Sequence, residues 1–340
     1  MICDIEKKIR YTISFLMRKI VHVNLQLLYE CNFKCTICDF WKDEYKNKSI
    51  LTLNQIERIN LKLKEIGPQV ISIGGGEPLL HKDIVKIAKI LSKNNFAVMI
   101  CNGWYMTPEI AHALFNAGMY EISISVDYAD PLKHDKQRGK SGAFDRAVNA
   151  LRILNENRVY PYQRVHMISV IMDDNVCEIE PLIKLSKKLG VTYLVTLYSD
   201  NRGKKVKRAP DLDIGKYLLK LKKKYPEFVA LRGYLGRFTE AIENNGIYPC
   251  YGGKNLINID SQGNVTFCID HLEKPAGNIL NDDMSDIIMS LKNQMGKNNC
   301  IGCWTSCRGS IESLMYDKGK LLNLFDYYQM TKDISIKNSL

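Results

Sequence analysis

Residues 31–38 read Cys31-Asn-Phe-Lys-Cys35-Thr-Ile-Cys38, and they follow an apolar stretch, Val21–Leu28, that is predicted to be a buried strand. Three thiolates in so short a loop can each ligate one iron of a [4Fe–4S] cubane, which leaves the fourth iron open to an exogenous ligand. The alternative is a zinc site, but structural zinc normally takes four protein ligands, and no histidine or fourth cysteine lies nearby. The spacing therefore favours an open iron–sulfur site after the first strand.

Further strands and helices alternate along the first two-thirds of the chain. Helical patterns separate the strands: Thr52 and Gln55 form a capping box, and Pro108 follows the predicted cap Thr107. Such alternation predicts parallel strands joined by right-handed crossovers. Six units are too few for a closed eight-unit barrel, so we expect an open, partial one. The other five predicted strands are Val70–Ile73, Ala97–Cys101, Glu121–Val126, Val165–Met172 and Thr192–Thr196.

Short polar or glycine-rich motifs lie where these strands end. Gly74-Gly75-Gly76-Glu77-Pro78 follows the second strand, and Asn102 follows the third. Ser125 and Asp127 end the fourth strand, and Arg138 lies before the next predicted helix. With the cysteine motif, this order resembles the radical S-adenosylmethionine (SAM) superfamily over roughly Val21 to Thr196. The resemblance implies an α/β fold with a partial (β/α)6 TIM-like barrel.

The resemblance also implies a chemistry and a set of cofactor-binding residues. In that family SAM chelates the open iron of a [4Fe–4S] cluster held by residues matching Cys31, Cys35 and Cys38, and its reductive cleavage yields a 5′-deoxyadenosyl radical that abstracts hydrogen from a substrate. Ile37 stands where the family often has an aromatic residue against adenine. The residues implied to contact SAM are Ile37, Gly74, Gly75, Gly76, Glu77, Pro78, Asn102, Ser125, Asp127 and Arg138.

A second group of cysteines lies near the end of the chain. Two predicted strands, Asn255–Asp260 and Asn264–Ile269, form a hairpin, with Cys268 expected on its second strand. The arrangement resembles the SPASM or twitch domains of radical SAM enzymes, a small α+β domain with an auxiliary [4Fe–4S] cluster. One cluster is expected, with Cys307 the weakest ligand, and a zinc ribbon is the alternative. The candidate ligands are Cys250, Cys268, Cys300, Cys303 and Cys307.

Composition and charge describe an ordinary chain with one strongly basic segment. We expect an N-terminal helix (1–20), a barrel (21–200), a basic linker with helices (201–245) and an auxiliary-cluster domain (246–340). The net charge is +11, and the segment Arg202–Lys224 could attract an anionic partner, although a solvated linker and helix face is the favoured interpretation. Without a signal-peptide cleavage site or a membrane-length apolar run, and with clustered cysteines that suit metal chemistry, the cytoplasm is expected.

Three functions remain open at this point. The first is modification of a peptide or protein, and the second is dehydrogenation or rearrangement of a small molecule such as a sugar or alcohol. The third is non-enzymatic metal binding with a nucleic-acid partner, which leaves the Gly74–Pro78 loop and the open cysteine triad unexplained. The expected partners are an electron donor such as flavodoxin or ferredoxin and, for a peptide substrate, a separate leader-binding chain, because only about twenty residues precede the first strand. The N-terminal helix could touch a membrane, although capping the barrel is favoured. No catalytic acid or base is assigned.

Overall fold

The computed structural model describes residues 2–42, 45, 49–199, 213–295, 300 and 303–332. Within them, six parallel strands form the main part of the sheet. Each neighbours the next in chain order, so the strands curve into an open barrel wall that does not close. The strands are β1 (His22–Leu28), β2 (Val70–Gly75), β3 (Phe96–Cys101), β4 (Glu121–Ser125), β5 (Arg164–Ile171) and β6 (Thr192–Leu197).

Helices cover the outside of this sheet and form most of the remaining chain. The Thr52–Gln55 capping box predicted from the sequence is present, and the helix after it buries Ile56, Ile59 and Leu63 against the strands. The helices are α1 (Ile2–Leu16), α2 (Leu53–Glu65), α3 (Ile84–Asn94), α4 (Pro108–Asn116), α5 (Pro131–Arg138), α6 (Ala143–Glu156), α7 (Ile179–Lys188), α8 (Ile214–Lys224), α9 (Arg232–Gly236), α10 (Phe238–Glu243), α11 (Met284–Met295), α12 (Ser306–Met315) and α13 (Lys320–Lys332).

The C-terminal hairpin extends the barrel sheet. Strand β7 (Leu256–Ile259) pairs in parallel with β1, from His22 opposite Leu256 to Leu25 opposite Ile259. Strands β8 (Asn264–Thr266) and β9 (Gly277–Asn278) continue the sheet with antiparallel pairing. The sheet order is therefore β6-β5-β4-β3-β2-β1-β7-β8-β9. Because β1 is paired on both sides, the second cysteine group is carried next to the first strand of the barrel.

The predicted barrel strands and the hairpin are confirmed, with two corrections. Arg138 ends a helix of its own, α5, which begins at its cap Asp130; the prediction missed this helix because it lacks an apolar repeat. Cys268 does not lie on the hairpin's second strand, because β8 ends at Thr266. The Thr266 hydroxyl donates to the Cys268 carbonyl at 2.9 Å, which turns the chain away from the sheet.

The predicted basic segment is only partly described. Its residues 202–212 lie outside the described part of the chain. In the remainder, α8 begins at its cap Asp213, and Lys216 and Lys224 pair with Asp213 and Glu180 at 2.9 and 2.7 Å. Among the helices that the structure describes, none is long and apolar enough to cross a bilayer.

Candidate functional site

The cysteine loop after β1 is held in shape by neighbouring backbone. Cys35 is buried, and Cys31 and Cys38 are half-buried. The amide of Phe33 donates to the Cys31 sulfur at 3.4 Å. Burial raises the pKa of the Cys31 thiol to about 12. Ligation would require this thiol to lose its proton, so iron binding at Cys31 would be coupled to proton release. Three thiols on one short loop are the donor set that an iron–sulfur cluster takes.

The end of α5 packs directly on this loop. The amide of Thr36 donates to the carbonyl of Gln137 at 3.0 Å. Gly139, which caps α5 in a left-handed conformation with φ of 62°, lies so close that a Cβ would overlap the Lys34 carbonyl. The C-terminal turn of this helix, which the sequence analysis missed, therefore fixes the path of the chain on both sides of Cys35.

Two of the three glycines after β2 are required by close backbone packing. The amides of Gly76 and Glu77 donate to the carbonyls of Leu28 and Glu30 at 2.8 and 2.9 Å. A Cβ at Gly76 would overlap the Glu30 carbonyl, and one at Gly75 that of Leu28. At Gly74 the nearest atoms to such a Cβ belong to the Gln26 side chain, at 3.9 Å. Gly74 therefore leaves room for a ligand, whereas its two neighbours fasten the glycine loop to the cysteine loop.

Glu77 braces the ends of β2 and β3. Its carboxylate is buried and accepts the amides of Leu79 and Asn102 at 3.0 and 2.8 Å. Burial raises the pKa of Glu77 to about 7, against the effect of these two donors. The Asn102 side chain in turn donates to the Asn32 amide oxygen at 2.8 Å, so the brace reaches the cysteine loop. Both carboxylate oxygens are thus engaged by the protein's own backbone.

Asp127 and Arg138 form a buried ion pair beside Cys35. An Arg138 Nη2 donates to Asp127 Oδ2 at 2.6 Å, and Asp127 Oδ1 accepts the Val170 amide at 2.8 Å. Burial raises the pKa of the Cys35 thiol, and the Arg138 guanidinium opposes that rise. Among the residues that the structure describes, the buried Nε of Arg138 has no hydrogen-bond partner. A cationic group with an unused donor in a cavity wall suits an anionic ligand such as a carboxylate.

Most of the predicted site residues line one cavity of about 300 Å³ at the carboxyl ends of the barrel strands. Its wall includes Cys31, Cys35, Cys38, Gly74, Gly75, Gly76, Glu77, Asn102, Ser125 and Arg138, and on the opposite side Cys250, Cys268, Cys303 and Cys307. Ile37 lies in a small apolar cluster with Phe33 and Tyr128, and Pro78 is buried at the start of a single turn of 3-10 helix. The first cysteine group and four of the five C-terminal cysteines thus face a common space, whose lining does not include Cys300.

Arg308, which the sequence analysis did not single out, organises the second cysteine group. Its guanidinium donates to the carbonyls of Cys303 and Pro249 at 2.8 and 3.1 Å and pairs with Glu312 at 2.9 Å. Glu312 also accepts the Tyr251 amide at 3.0 Å. Burial raises the pKa of Cys250 to about 12, and the Arg308 charge opposes this. One buried ion pair therefore holds the loops that carry two of the thiols.

The other thiols have different surroundings. The amide of Asp270 donates to the Cys268 sulfur at 3.3 Å, and Cys300 raises the pKa of His271 through a hydrogen bond. The Cys307 sulfur lies 3.8 Å from Asn24 Oδ1 on β1. Within the described residues, no three His, Cys, Asp or Glu side chains converge closely enough to hold a single metal ion. Cys307 thus lies against β1 and also lines the cavity with Cys250, Cys268 and Cys303.

Polar residues on β1 are the main part of the site that sequence reasoning missed. Asn24 and Gln26 line the cavity, and the buried Gln26 Oε1 has no hydrogen-bond partner in the described structure. The signal was available, because β1 reads His22-Val-Asn24-Leu-Gln26-Leu-Leu with polar residues at every second position. In a strand of period two this pattern places them all on one face.

Comparison with known proteins gives matches in sequence and in structure. The family model described as the radical SAM superfamily matches residues 25–186. The AdoMet-dependent heme synthase of Methanosarcina barkeri is 30% identical over 172 residues, 50% of this chain and 48% of that protein. The chain thus spans about half the length of that relative. The mycofactocin maturase MftC of Mycolicibacterium smegmatis is 26% identical over 316 residues, 86% of this chain and 78% of that one.

Among solved structures, Streptococcus suis SuiB bound to its precursor peptide SuiA has the same fold. The TM-score is 0.65 at 15% identity, over 83% of this chain and 68% of SuiB. The alignment therefore extends beyond the residues that the family model covers.

Proposed function

The chain belongs to the radical SAM superfamily through its residues 25–186, and from that premise we propose that it modifies a peptide or protein. As a radical SAM enzyme it binds a [4Fe–4S] cluster and SAM, so the non-enzymatic alternative is not retained. When bound, these groups supply a 5′-deoxyadenosyl radical that abstracts hydrogen from the substrate. In this proposal the enzyme is cytoplasmic. It receives electrons from a donor such as flavodoxin or ferredoxin, and a separate chain binds the leader of the substrate peptide.

In this proposal the residues of the barrel divide between holding the cofactors and shaping the loops. Cys31, Cys35 and Cys38 hold the first cluster. Arg138 receives the SAM carboxylate, because its buried Nε has no hydrogen-bond partner in the described part of the chain, and Asp127 positions the guanidinium. Gly74, Asn102 and Ser125 line the remaining SAM space. Gly75, Gly76, Glu77 and Pro78 hold the glycine loop, and Ile37 supports the cysteine loop from its apolar side.

The auxiliary cluster takes four of the five C-terminal cysteines. We assign Cys250, Cys268, Cys300 and Cys303, because Cys307 makes its contact with Asn24 on β1. Held by these cysteines, a second cluster would supply an acceptor for the electron left on the substrate radical, and the net reaction would then be an oxidation. Arg308 tunes this site, since its charge lies beside Cys250 and Cys303.

The observation that carries the proposal is the single cavity shared by the two cysteine groups. A substrate bound there lies between the source of the radical and the electron acceptor. Two comparisons support a peptide as that substrate. The alignment with a mycofactocin maturase runs through most of both chains, and SuiB, which shares the fold, was crystallised with a precursor peptide.

The test follows hydrogen from substrate to cofactor. Extracts of host cells grown on deuterated medium are divided into a peptide and protein fraction and a small-metabolite fraction. Each fraction is incubated with anaerobic, reconstituted enzyme, SAM and dithionite. We expect deuterium in 5′-deoxyadenosine, measured by mass spectrometry, from the peptide and protein fraction. Deuterium from the metabolite fraction alone would support the small-molecule alternative and contradict the peptide proposal.

A triple variant serves as the control for the cluster assignment. Cys31→Ala/Cys35→Ala/Cys38→Ala should produce no 5′-deoxyadenosine and should bind about four irons in place of about eight. An unchanged iron content in this variant would show that the first cluster is not held by these cysteines.

A further inference from the structure

Helix α1 carries two apolar faces on opposite sides. One face lies on the barrel, where the Tyr11 ring packs edge-on against Phe96 at the start of β3, with centroids 5.4 Å apart. On the other side the large side chains of Ile5, Ile9, Ile13 and Leu16 are 50% to 74% exposed. Their spacing of four, four and three residues forms one continuous stripe. Scattered exposed apolar residues are normal, but a continuous stripe indicates a contact surface.

A basic cavity of about 240 Å³ lies beside this stripe. Its charged lining comprises the cations Lys7, Arg10, Lys64 and Lys93 and the carboxylate of Glu6. Two of the cations belong to α1 itself, and the others come from the ends of α2 and α3. The cavity therefore offers an excess of positive charge next to an apolar surface.

Helix α13 brings a second apolar stripe to the same end of the barrel. Leu321, Phe325 and Tyr328 are each at least 50% exposed and follow a helical spacing of four and three residues. Tyr327, which precedes Tyr328 on α13, lies close enough to Tyr11 on α1 to contribute to the raised pKa of the Tyr11 hydroxyl. The amino ends of the strands are thus flanked by two helices with exposed apolar stripes, on the side away from the cysteine cavity.

We propose that this end of the barrel docks on an anionic lipid bilayer. The α1 stripe enters the headgroup region, and lipid phosphates meet the basic cavity. A bilayer satisfies both features at once, because apolar chains and anionic phosphates lie side by side along its surface. A second copy of the chain would present the same positive cavity and so would be repelled. The cytoplasmic leaflet carries the negative charge that this surface needs. Docked in this way, the enzyme keeps its cavity facing away from the membrane.

Co-sedimentation with vesicles tests the docking directly and needs no substrate. The full-length reconstituted enzyme should sediment with phosphatidylcholine vesicles that contain phosphatidylglycerol, and much less with phosphatidylcholine alone. Ile9→Glu/Ile13→Glu should lower the partition coefficient by about tenfold or more, and Lys64→Glu/Lys93→Glu by a similar factor. The control is Leu132→Glu, an 81% exposed position on α5 at the opposite end of the barrel, which should bind like the wild type.

Three results would overturn the proposal. One is equal binding of the wild type to neutral and anionic vesicles. Another is unchanged binding by both paired variants. The third is a wild-type dimer in sedimentation velocity that Ile9→Glu/Ile13→Glu dissociates, without vesicle binding, because the stripe would then join two copies. Rates of 5′-deoxyadenosine formation equal to the wild type show that the variants are folded, and they separate this test from that of the proposed function.

Discussion

At the scale of single residues, the cysteine loop depends on positions outside the cysteine motif. Gly76 and Gly139 let two other segments reach its backbone, and Glu77 ties the ends of β2 and β3 together. Motif glycines are commonly explained by the approach of a ligand, but here an added Cβ would have room only at Gly74 of the three, since at Gly75 and Gly76 it would overlap a backbone carbonyl. The glycine run therefore combines a binding position with two packing positions.

Substitution of neighbouring glycines should separate these two roles. Gly76→Ala forces a Cβ onto the Glu30 carbonyl, so we expect a loss of about 2–4 kcal/mol of unfolding free energy and a poorly loaded first cluster. Gly74→Ala, with its nearest contact at 3.9 Å, should keep both stability and iron but bind SAM more weakly. Chemical denaturation, iron analysis and SAM titration measure these effects. Equal stability of the two variants would contradict the packing role of Gly76.

The raised pKa of Glu77 predicts a pH dependence of stability. The pKa rises from 4.5 to about 7 on folding, so the folded state binds more protons than the unfolded state between these values. Glu77 therefore makes the protein less stable as pH rises from about 4.5 to 7, by up to about 3 kcal/mol. Glu77→Gln should remove this slope in denaturation of iron-free protein, whereas exposed Glu65→Gln should keep it. If the unfolding free energy of Glu77→Gln still fell as pH rose, the pH dependence would have to come from another group.

At the scale of elements, strands and helices with a regular apolar pattern were predictable from the sequence, and a helix without such a pattern was missed. The barrel strands are apolar runs, and the helices packed on them have apolar residues at helical spacing, so both were predictable. Helix α5 has no such stripe, and only its Asp130 cap and Pro131 indicate it. The pairing of β7 with β1 depends on contacts between residues more than two hundred positions apart, which no local pattern reports. Most of the predicted site residues line the cavity, whereas Arg308, in a helix, and Asn24 and Gln26, inside a strand, were not predicted.

Strand β1 combines a packing face with a polar face toward the cavity, which gives a testable distinction. Gln26→Leu removes a buried amide oxygen that has no hydrogen-bond partner, so the unfolding free energy should stay the same or rise by about 1 kcal/mol. The same change should weaken SAM or substrate binding, because a cavity polar group is lost. Thermal unfolding and KM values measure the two effects. A clear loss of stability would show that Gln26 serves the fold.

At the scale of the whole molecule, one continuous sheet connects the two cysteine groups. The hairpin is attached to the barrel by β7, which is buried along its whole length, and by the Asn255 side chain, which donates to the carbonyls of Arg18 and Lys19 at 2.8 and 3.1 Å. These contacts do not involve the cysteines. Within the described residues the hairpin is thus held by contacts that a cluster would not supply, and the electronic role proposed above for the second cluster can be tested separately from folding.

The pair Cys250→Ala/Cys268→Ala tests this electronic role. Because sheet pairing holds the hairpin, the variant should fold, keep amide protection in β7 by hydrogen exchange and lose about four irons. It should still form 5′-deoxyadenosine, since the first cluster and Arg138 are intact, but it should lose turnover to oxidised product. Cys307→Ala is the matched control: if Cys307 is not a ligand, this variant keeps all its iron. Melting of the hairpin, together with lost SAM cleavage, would indicate a structural cluster. Undiminished product from protein shown to lack the second cluster would exclude electron acceptance, because the electron on the substrate radical would then leave by another route.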